Sequence, residues 1–249
     1  MRGPRSLVRP WVVGVNLRHC IVRGCGIAGL LAGAPLYAHE FHGYLTLTSD
    51  YVFRGASQSD GDPTVQAGLD YVHPSGVFAG VFAAHTEFPA NAFGSNPGSL
   101  ELDAYLGYSR EAGRDWSWDV AAFHYDFPDS TGFDYSYDEL AANLRFRKFL
   151  RLGATVSDDA GAGGASGWTA EIELRQSFGD RYQVSGSLGH YEFARTDWDG
   201  YLYWDLGVSA DAGPVTFDLR YFDTNGDEAG FAGREQTGSR LVGSVSVGF

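Results

Sequence analysis

Across residues 39–249, apolar and polar positions alternate with a period of two, in segments of about ten residues. Ten residues is about the length a tilted strand needs to cross a hydrocarbon layer. The clearest segment is 168–178. Trp168, Ala170, Ile172, Leu174 and Phe178 share one face there, and Thr169, Glu171, Glu173, Arg175 and Ser177 share the other. The pattern recurs in 100–108, 140–147, 202–210, 215–222 and 241–249, and more weakly in 43–53, 64–72, 77–85, 116–126, 149–157 and 182–191. In 116–126 it fails after Ala122, where Phe123 and Tyr125 fall on the polar face. The segments amount to twelve predicted strands.

A half-buried strand of a soluble protein alternates in the same way, so the connections discriminate better. Long connections (54–63, 86–99, 127–136, 158–167, 192–200, 223–238) take turns with short ones (73–76, 110–115, 148, 179–180, 211–214) that are rich in Gly, Pro, Asp and Ser. Outer-membrane barrels use short turns on the periplasmic side and long loops on the outer side. The sequence therefore predicts an all-β fold, an antiparallel up-and-down transmembrane β-barrel of about 12 strands. No segment approaches the roughly 18 apolar residues of a membrane helix. Leu106-Gly-Tyr-Ser-Arg-Glu-Ala-Gly113 and Leu206-Gly-Val-Ser-Ala-Asp-Ala-Gly213 echo one another, as two hairpins with the same turn chemistry would.

Residues 1–38 differ in kind. They carry Arg2, Arg5, Arg9, Arg18 and Arg23 and no acid, then an apolar run from Ile27 to Ala38. This is the layout of a secretory signal peptide, with cleavage expected after Ala38. The expected organisation is a signal peptide over 1–38 and a barrel domain over 39–249, with export to the bacterial outer membrane. Both cysteines, Cys20 and Cys25, lie in the leader, so no disulfide framework is available to the barrel. Of 18 Lys+Arg, five fall in the leader, which leaves 13 against 31 Asp+Glu. So acidic a chain makes nucleic acid an implausible partner.

In a barrel of this kind the polar face points inward. The lumen-lining candidates are Asp50, Arg54, Asp70, Glu101, Asp103, Asp119, Glu139, Arg145, Arg147, Arg151, Glu171, Glu173, Arg175, Asp205, Asp218 and Arg220. Acids outnumber bases in this set, so an open pore would prefer cations or neutral solutes to anions. A closed interior filled by paired charges is the alternative, because about eight strands leave no channel and 16 or more leave a wide one. Trp116/Trp118, Tyr135/Tyr137 and Tyr201/Tyr203/Trp204 are expected in outward aromatic girdles.

No enzyme is expected. His124 and His190 lack a Ser or Asp partner at a recognisable spacing, so a lipid-modifying enzyme is a distant alternative. Asp223-Thr-Asn-Gly-Asp-Glu228 opens like a calcium loop, but Glu228 stands where glycine is needed and Arg234 where a bidentate glutamate is needed. No cofactor is expected. The final strand closes on Phe249 after alternating apolar residues, which resembles the signal read by the barrel assembly machinery. That machinery, outer-membrane lipids and lipopolysaccharide are the expected partners.

The run from Thr48 through Tyr51-Val-Phe-Arg-Gly-Ala-Ser57 to Asp60-Gly-Asp-Pro63 and Tyr71 resembles the opening of the TorF-type porin family of proteobacteria. Leu100-Glu-Leu-Asp-Ala-Tyr-Leu-Gly-Tyr108 and Ser187-Leu-Gly-His-Tyr191 are similar to its later signatures. The resemblance implies a porin-like outer-membrane barrel and assigns no residue a chemical role. Arg54-Gly55 is expected to end the first strand, Asp60–Pro63 to form the first outer turn, and Arg54 with Asp50 to form an ion pair or a constriction.

Overall fold

The computed structural model describes residues 39–88, 96–160, 164–194, 199–225 and 234–249; the proposed signal segment 1–38 lies outside them. Alternating residues build strands because successive side chains on a pleated backbone point to opposite faces. The strands are β1 (Glu40–Thr48), β2 (Val52–Phe53), β3 (Ala56–Ser57), β4 (Thr64–Val72), β5 (Val77–His85), β6 (Leu100–Ala112) and β7 (Trp116–Asp126). They continue with β8 (Tyr137–Phe146), β9 (Leu150–Ser157), β10 (Gly167–Phe178), β11 (Tyr182–Phe193), β12 (Tyr201–Ala212), β13 (Val215–Thr224) and β14 (Arg240–Gly248), with one helical turn, α1 (Arg234–Thr237).

Twelve of these strands form one closed antiparallel barrel in sequence order, and β2 and β3 make a separate hairpin. β1 closes the barrel by pairing with β4 on one side and β14 on the other, from Tyr44 opposite Gly248 to Thr48 opposite Ser244. Phe249 extends that seam: its N–H donates to the Gly43 carbonyl at 2.9 Å and its carbonyl accepts from the Gly43 N–H at 2.9 Å. Closure leaves no unpaired sheet edge, which a hydrocarbon environment requires.

The two faces differ as the alternation predicts. Leu241 is 64% exposed and the next residue, Val242, is 6% exposed. Leu45, Leu47, Leu69, Val81, Leu106, Leu140 and Leu206 cover the outside, while Thr46, Gln66, Glu139 and Thr169 turn inward. Several inward glycines lie under a neighbour's ring. Tyr44 lies over Gly68 and Tyr105 over Gly80, and a Cβ at either glycine would collide with the ring. Tyr44, Tyr51, Phe82 and Ala84 form one interior cluster, and Val72, Phe78, Tyr105 and Ala121 another. The wall from β1 through β6 is therefore packed with rings.

The first strand ends at Thr48, five residues before its expected end at Phe53. The chain then leaves the sheet and turns into the lumen, and β2 and β3 pair there with Phe53 opposite Ala56 and Val52 opposite Ser57. The alternating run 43–53 reads as one strand because Tyr51 and Phe53 keep the period; the Tyr51 ring is buried in the lumen and the half-buried Phe53 packs against its cluster.

Candidate functional site: the lumen and its inner hairpin

Arg54 and Gly55 form the tip of the inner hairpin, both at positive φ (49° and 80°). Two such residues make the type I′ turn that suits a two-residue hairpin loop. Gly55 is needed for a second reason, since a Cβ there would meet Tyr203 and Thr224 on the lumen wall. For Arg54 the left-handed conformation costs about 1 kcal/mol, and its side chain supplies the compensation. The guanidinium reaches β8, where Nη1 donates to Glu139 Oε1 at 2.6 Å and Nη2 to Glu139 Oε2 at 2.7 Å, with Nη2 also 3.2 Å from Thr155 Oγ1. It lies over the Phe53 ring at 4.6 Å and the Tyr191 ring at 5.1 Å, a cation–π setting. The Tyr201 hydroxyl donates to the Arg54 carbonyl at 3.1 Å.

The base of the hairpin is tied as firmly. Asp50 Oδ1 accepts from Ser57 Oγ at 2.6 Å and Ser59 Oγ at 3.1 Å, and Asp50 Oδ2 pairs with Arg240 Nη1 at 2.6 Å. Arg240 also donates to the Gln236 carbonyl at 2.7 Å, and Gln236 Nε2 donates to Asp60 at 3.1 Å, so α1 braces the segment from behind. The hairpin thus crosses the lumen from β1 to the β8, β9 and β12 walls.

Opposite the ring-packed wall, β7 through β13 carry a chain of charges. Arg145 pairs with Asp119, and Asn143 Nδ2 donates to Asp119 at 2.9 Å. Arg151 pairs with Glu171 and, at 3.0 Å, with Glu173, which also holds Arg175. Arg220 pairs with Asp205 and, at 3.2 Å, with Asp218, and it donates to Ser185 Oγ at 2.9 Å. A cavity of about 350 Å³ lies between this wall and the hairpin, lined by Arg54, Glu139, Arg151, Glu171, Arg175, Asp205, Asp218 and Arg220 with hydroxyls from Thr46, Thr48, Thr155 and Ser244. Fixed charges of both signs around this cavity would let a small polar solute exchange water for wall contacts.

Of the predicted lumen residues, Asp70, Glu101, Asp103, Asp119, Glu139, Arg145, Arg151, Glu171, Glu173, Arg175, Asp205, Asp218 and Arg220 face inward from barrel strands, and Asp50 and Arg54 enter from the inner segment. Arg147 does not. It sits at a positive φ in the turn after β8, its side chain 65% exposed and paired with Asp115 at 2.9 Å. The parity of Arg145 extends to Arg147 on paper, but the strand stops at Phe146. Asp50 and Arg54 do not pair with each other, because Arg240 and Glu139 take them. Tyr137, Tyr201 and Tyr203 also depart from the expected outward girdle. Tyr201 and Tyr203 are buried in an interior cluster with Tyr191 and Phe193, and Tyr137 stacks on Tyr125 at 4.5 Å. Of the expected girdle, Trp116 and Trp204 do face outward.

Sequence reading missed Arg240 and the inner hairpin. The one signal for the hairpin was Arg54-Gly55 between β-forming residues, a weak match to the Asn-Gly turn preference. His124 and Asp138, on adjacent strands, meet at 2.8 Å on the exposed outer face, and His190 meets Glu192 at 2.9 Å.

A closed twelve-strand antiparallel barrel is a fold with counterparts among known outer-membrane structures. The barrel is similar to a KdgM porin (TM-score 0.52, 8% identity, covering 84% of this chain and 99% of that one) and to a NanC porin (TM-score 0.56, 9% identity, 84% and 99%). Identities this low speak to fold alone. Residues 32–247 match the model of the Gcw_chp family, described as a bacterial protein of unknown function, and the chain belongs to that family. No curated protein matches it.

Proposed function

We propose that this barrel is a porin-like channel for passive diffusion of small hydrophilic solutes across the bacterial outer membrane, with a preference for cations. The observation that carries the reading is the cavity between the inner hairpin and the charged wall. Paired charges and hydroxyls line it, and the apolar outer belt suits a hydrocarbon layer. Asp50, Asp70, Glu101, Asp103, Asp119, Glu139, Glu171, Glu173, Asp205 and Asp218 face Arg54, Arg145, Arg151, Arg175, Arg220 and Arg240, and this acid excess favours cations. The hairpin tip is the constriction.

Residues 1–38 act as a cleaved signal, the short turns lie in the periplasm, and Phe249 is the mark read by the assembly machinery. The long loops meet lipopolysaccharide. The resemblance of the Thr48–Tyr71 run to TorF-type porins supports the same reading. Liposomes carrying the refolded protein should swell in isotonic solutions of small sugars and amino acids and not in a large polysaccharide. Folded barrels that give no swelling in any solute would refute the channel.

A second reading, a closed barrel serving structure or surface contact, is favoured by the depth at which the hairpin is tied. In that case swelling would be absent and would appear only when the hairpin is released.

A further inference from the structure

β1 and β4 run antiparallel, with Glu40 opposite Val72 and Phe41 opposite Tyr71. Phe41 is 65% exposed, so the Phe41–Tyr71 pair lies on the outward face. Two residues further along each strand, the same register brings His39 opposite His73, and the period of two keeps both on that outward side. The imidazoles meet there, with ring centroids 5.1 Å apart. Tyr71 Oη lies 2.6 Å from His39 Nδ1. Glu40 and His42 take the other face and pair with each other at 3.1 Å.

His73 is already held as a metal ligand is held. The Ser75 N–H donates to its Nδ1 at 3.1 Å, and Ser75 Oγ lies 2.7 Å from the same nitrogen. A ligating histidine has its second ring nitrogen fixed by such a partner, and here that leaves Nε2 to bind. Metal–imidazole bonds of about 2.0 Å put each ring centroid about 3.2 Å from the ion, so two rings on one ion are at most about 6.4 Å apart. The 5.1 Å between His39 and His73 falls within that reach. No third His, Cys, Asp or Glu among the described residues joins the two rings. The further donor comes from the backbone: with the signal removed after Ala38, His39 becomes the first residue, and its free α-amine and Nδ1 close a six-membered chelate on one ion.

We propose that the α-amine and Nδ1 of His39, with Nε2 of His73, hold a divalent copper ion at the rim of the barrel where β1 begins and β4 ends. The site rests on the proposed cleavage after Ala38. Nitrogen donors in a tetragonal arrangement suit Cu(II), which also stands at the top of the divalent affinity order. Tyr71 Oη is placed for a weak axial position: donors at right angles on bonds of about 2.0 Å are about 2.8 Å apart, close to its 2.6 Å from His39 Nδ1. Binding needs the amine and both rings unprotonated at the metal, so it releases protons; the remaining ring proton of His73 sits on Nδ1, where Ser75 Oγ accepts it. The ion clamps the start of β1 to the end of β4, whether or not solutes pass through the lumen.

The test uses the mature chain without an affinity tag, released from a cleavable fusion so that it begins at His39, and folded in detergent. One equivalent of Cu(II) should give a tetragonal electron paramagnetic resonance spectrum with couplings to three nitrogens, and zinc should displace it poorly. His73→Gln should lose one coupling and weaken copper by at least roughly tenfold, the lower end of what even an outer-shell change costs. Four glycines placed ahead of His39 remove the terminal chelate and should weaken copper at least as much. His124→Gln, on the exposed face beside Asp138, should leave the spectrum unchanged. No copper signal from the native chain overturns the proposal. So does a native spectrum that persists in folded His73→Gln or in the glycine-extended chain, and if His73→Gln fails to fold the glycine-extended chain decides. The intact mass of the protein purified from outer membranes should show His39 as its first residue. Any other first residue overturns the site and leaves the channel reading to its own swelling test.

Discussion

Replacing Arg54 by alanine removes the guanidinium that ties the tip of the inner hairpin to Glu139 and Thr155 and leaves the Tyr201 bond to its carbonyl. The pair is buried, with side-chain exposures of 9% for Arg54 and 2% for Glu139, and it is bidentate at 2.6 and 2.7 Å. Removing one partner of such a pair costs about 3–5 kcal/mol, because the other charge is left buried and unpaired. A two-stranded hairpin is marginal alone, and the barrel ladders do not pass through it. The loss should therefore fall on hairpin position and leave the barrel standing. It shifts the equilibrium between seated and displaced hairpin by roughly two to three and a half orders of magnitude. In planar bilayers Arg54→Ala should show larger and noisier single-channel conductance than the native chain, with an unchanged heat-modifiable gel shift for the folded barrel. Arg54→Lys, which keeps charge and loses the fork, should fall between. The exchange Arg54→Glu with Glu139→Arg should recover part of the native conductance. Conductance equal to native in a folded Arg54→Ala protein would refute the constriction.

Other substitutions separate the two faces. Leu206, at the middle of β12 on the lipid side, should cost about 2–4 kcal/mol as Leu206→Arg, read from urea titration in lipid vesicles. Arg147→Ala removes an exposed pair in a turn and should change stability by no more than about 1 kcal/mol, with no change in ion selectivity. Deleting Phe249 removes two backbone hydrogen bonds from the β1–β14 seam and should lower the yield of folded barrel in assembly-assisted refolding, with little effect on the conductance of the molecules that do close.

The fold was legible because barrel closure imposes simple rules on sequence. Period-two alternation, short turns alternating with long loops, and the terminal strand follow directly from pleat geometry and the need to pair every backbone group. Inward placement of Glu171, Glu173 and Arg175 followed from parity alone. Parity failed where the strand itself ended. Arg147 shares the parity of Arg145, yet the turn carries it out to solvent, and Tyr51 and Phe53 preserve an alternation that no longer belongs to the sheet. The aromatic residues failed for a related reason. Tyr201 and Tyr203 look like interface anchors from composition, but their parity with Asp205 turns them inward, where they pack with Tyr191 and Phe193 beside Arg54. Pairings such as Arg54 with Glu139, 85 positions apart in the chain, depend on how far a loop folds back, which local patterning does not encode.

The most direct test of the channel reading is the reversal potential of the refolded protein in a planar bilayer under a potassium chloride gradient. Discrete conductance steps that reverse towards the potassium equilibrium potential are the predicted result. Reversal towards chloride would contradict the acidic-lumen account, and a folded barrel that gives no steps would contradict the channel itself.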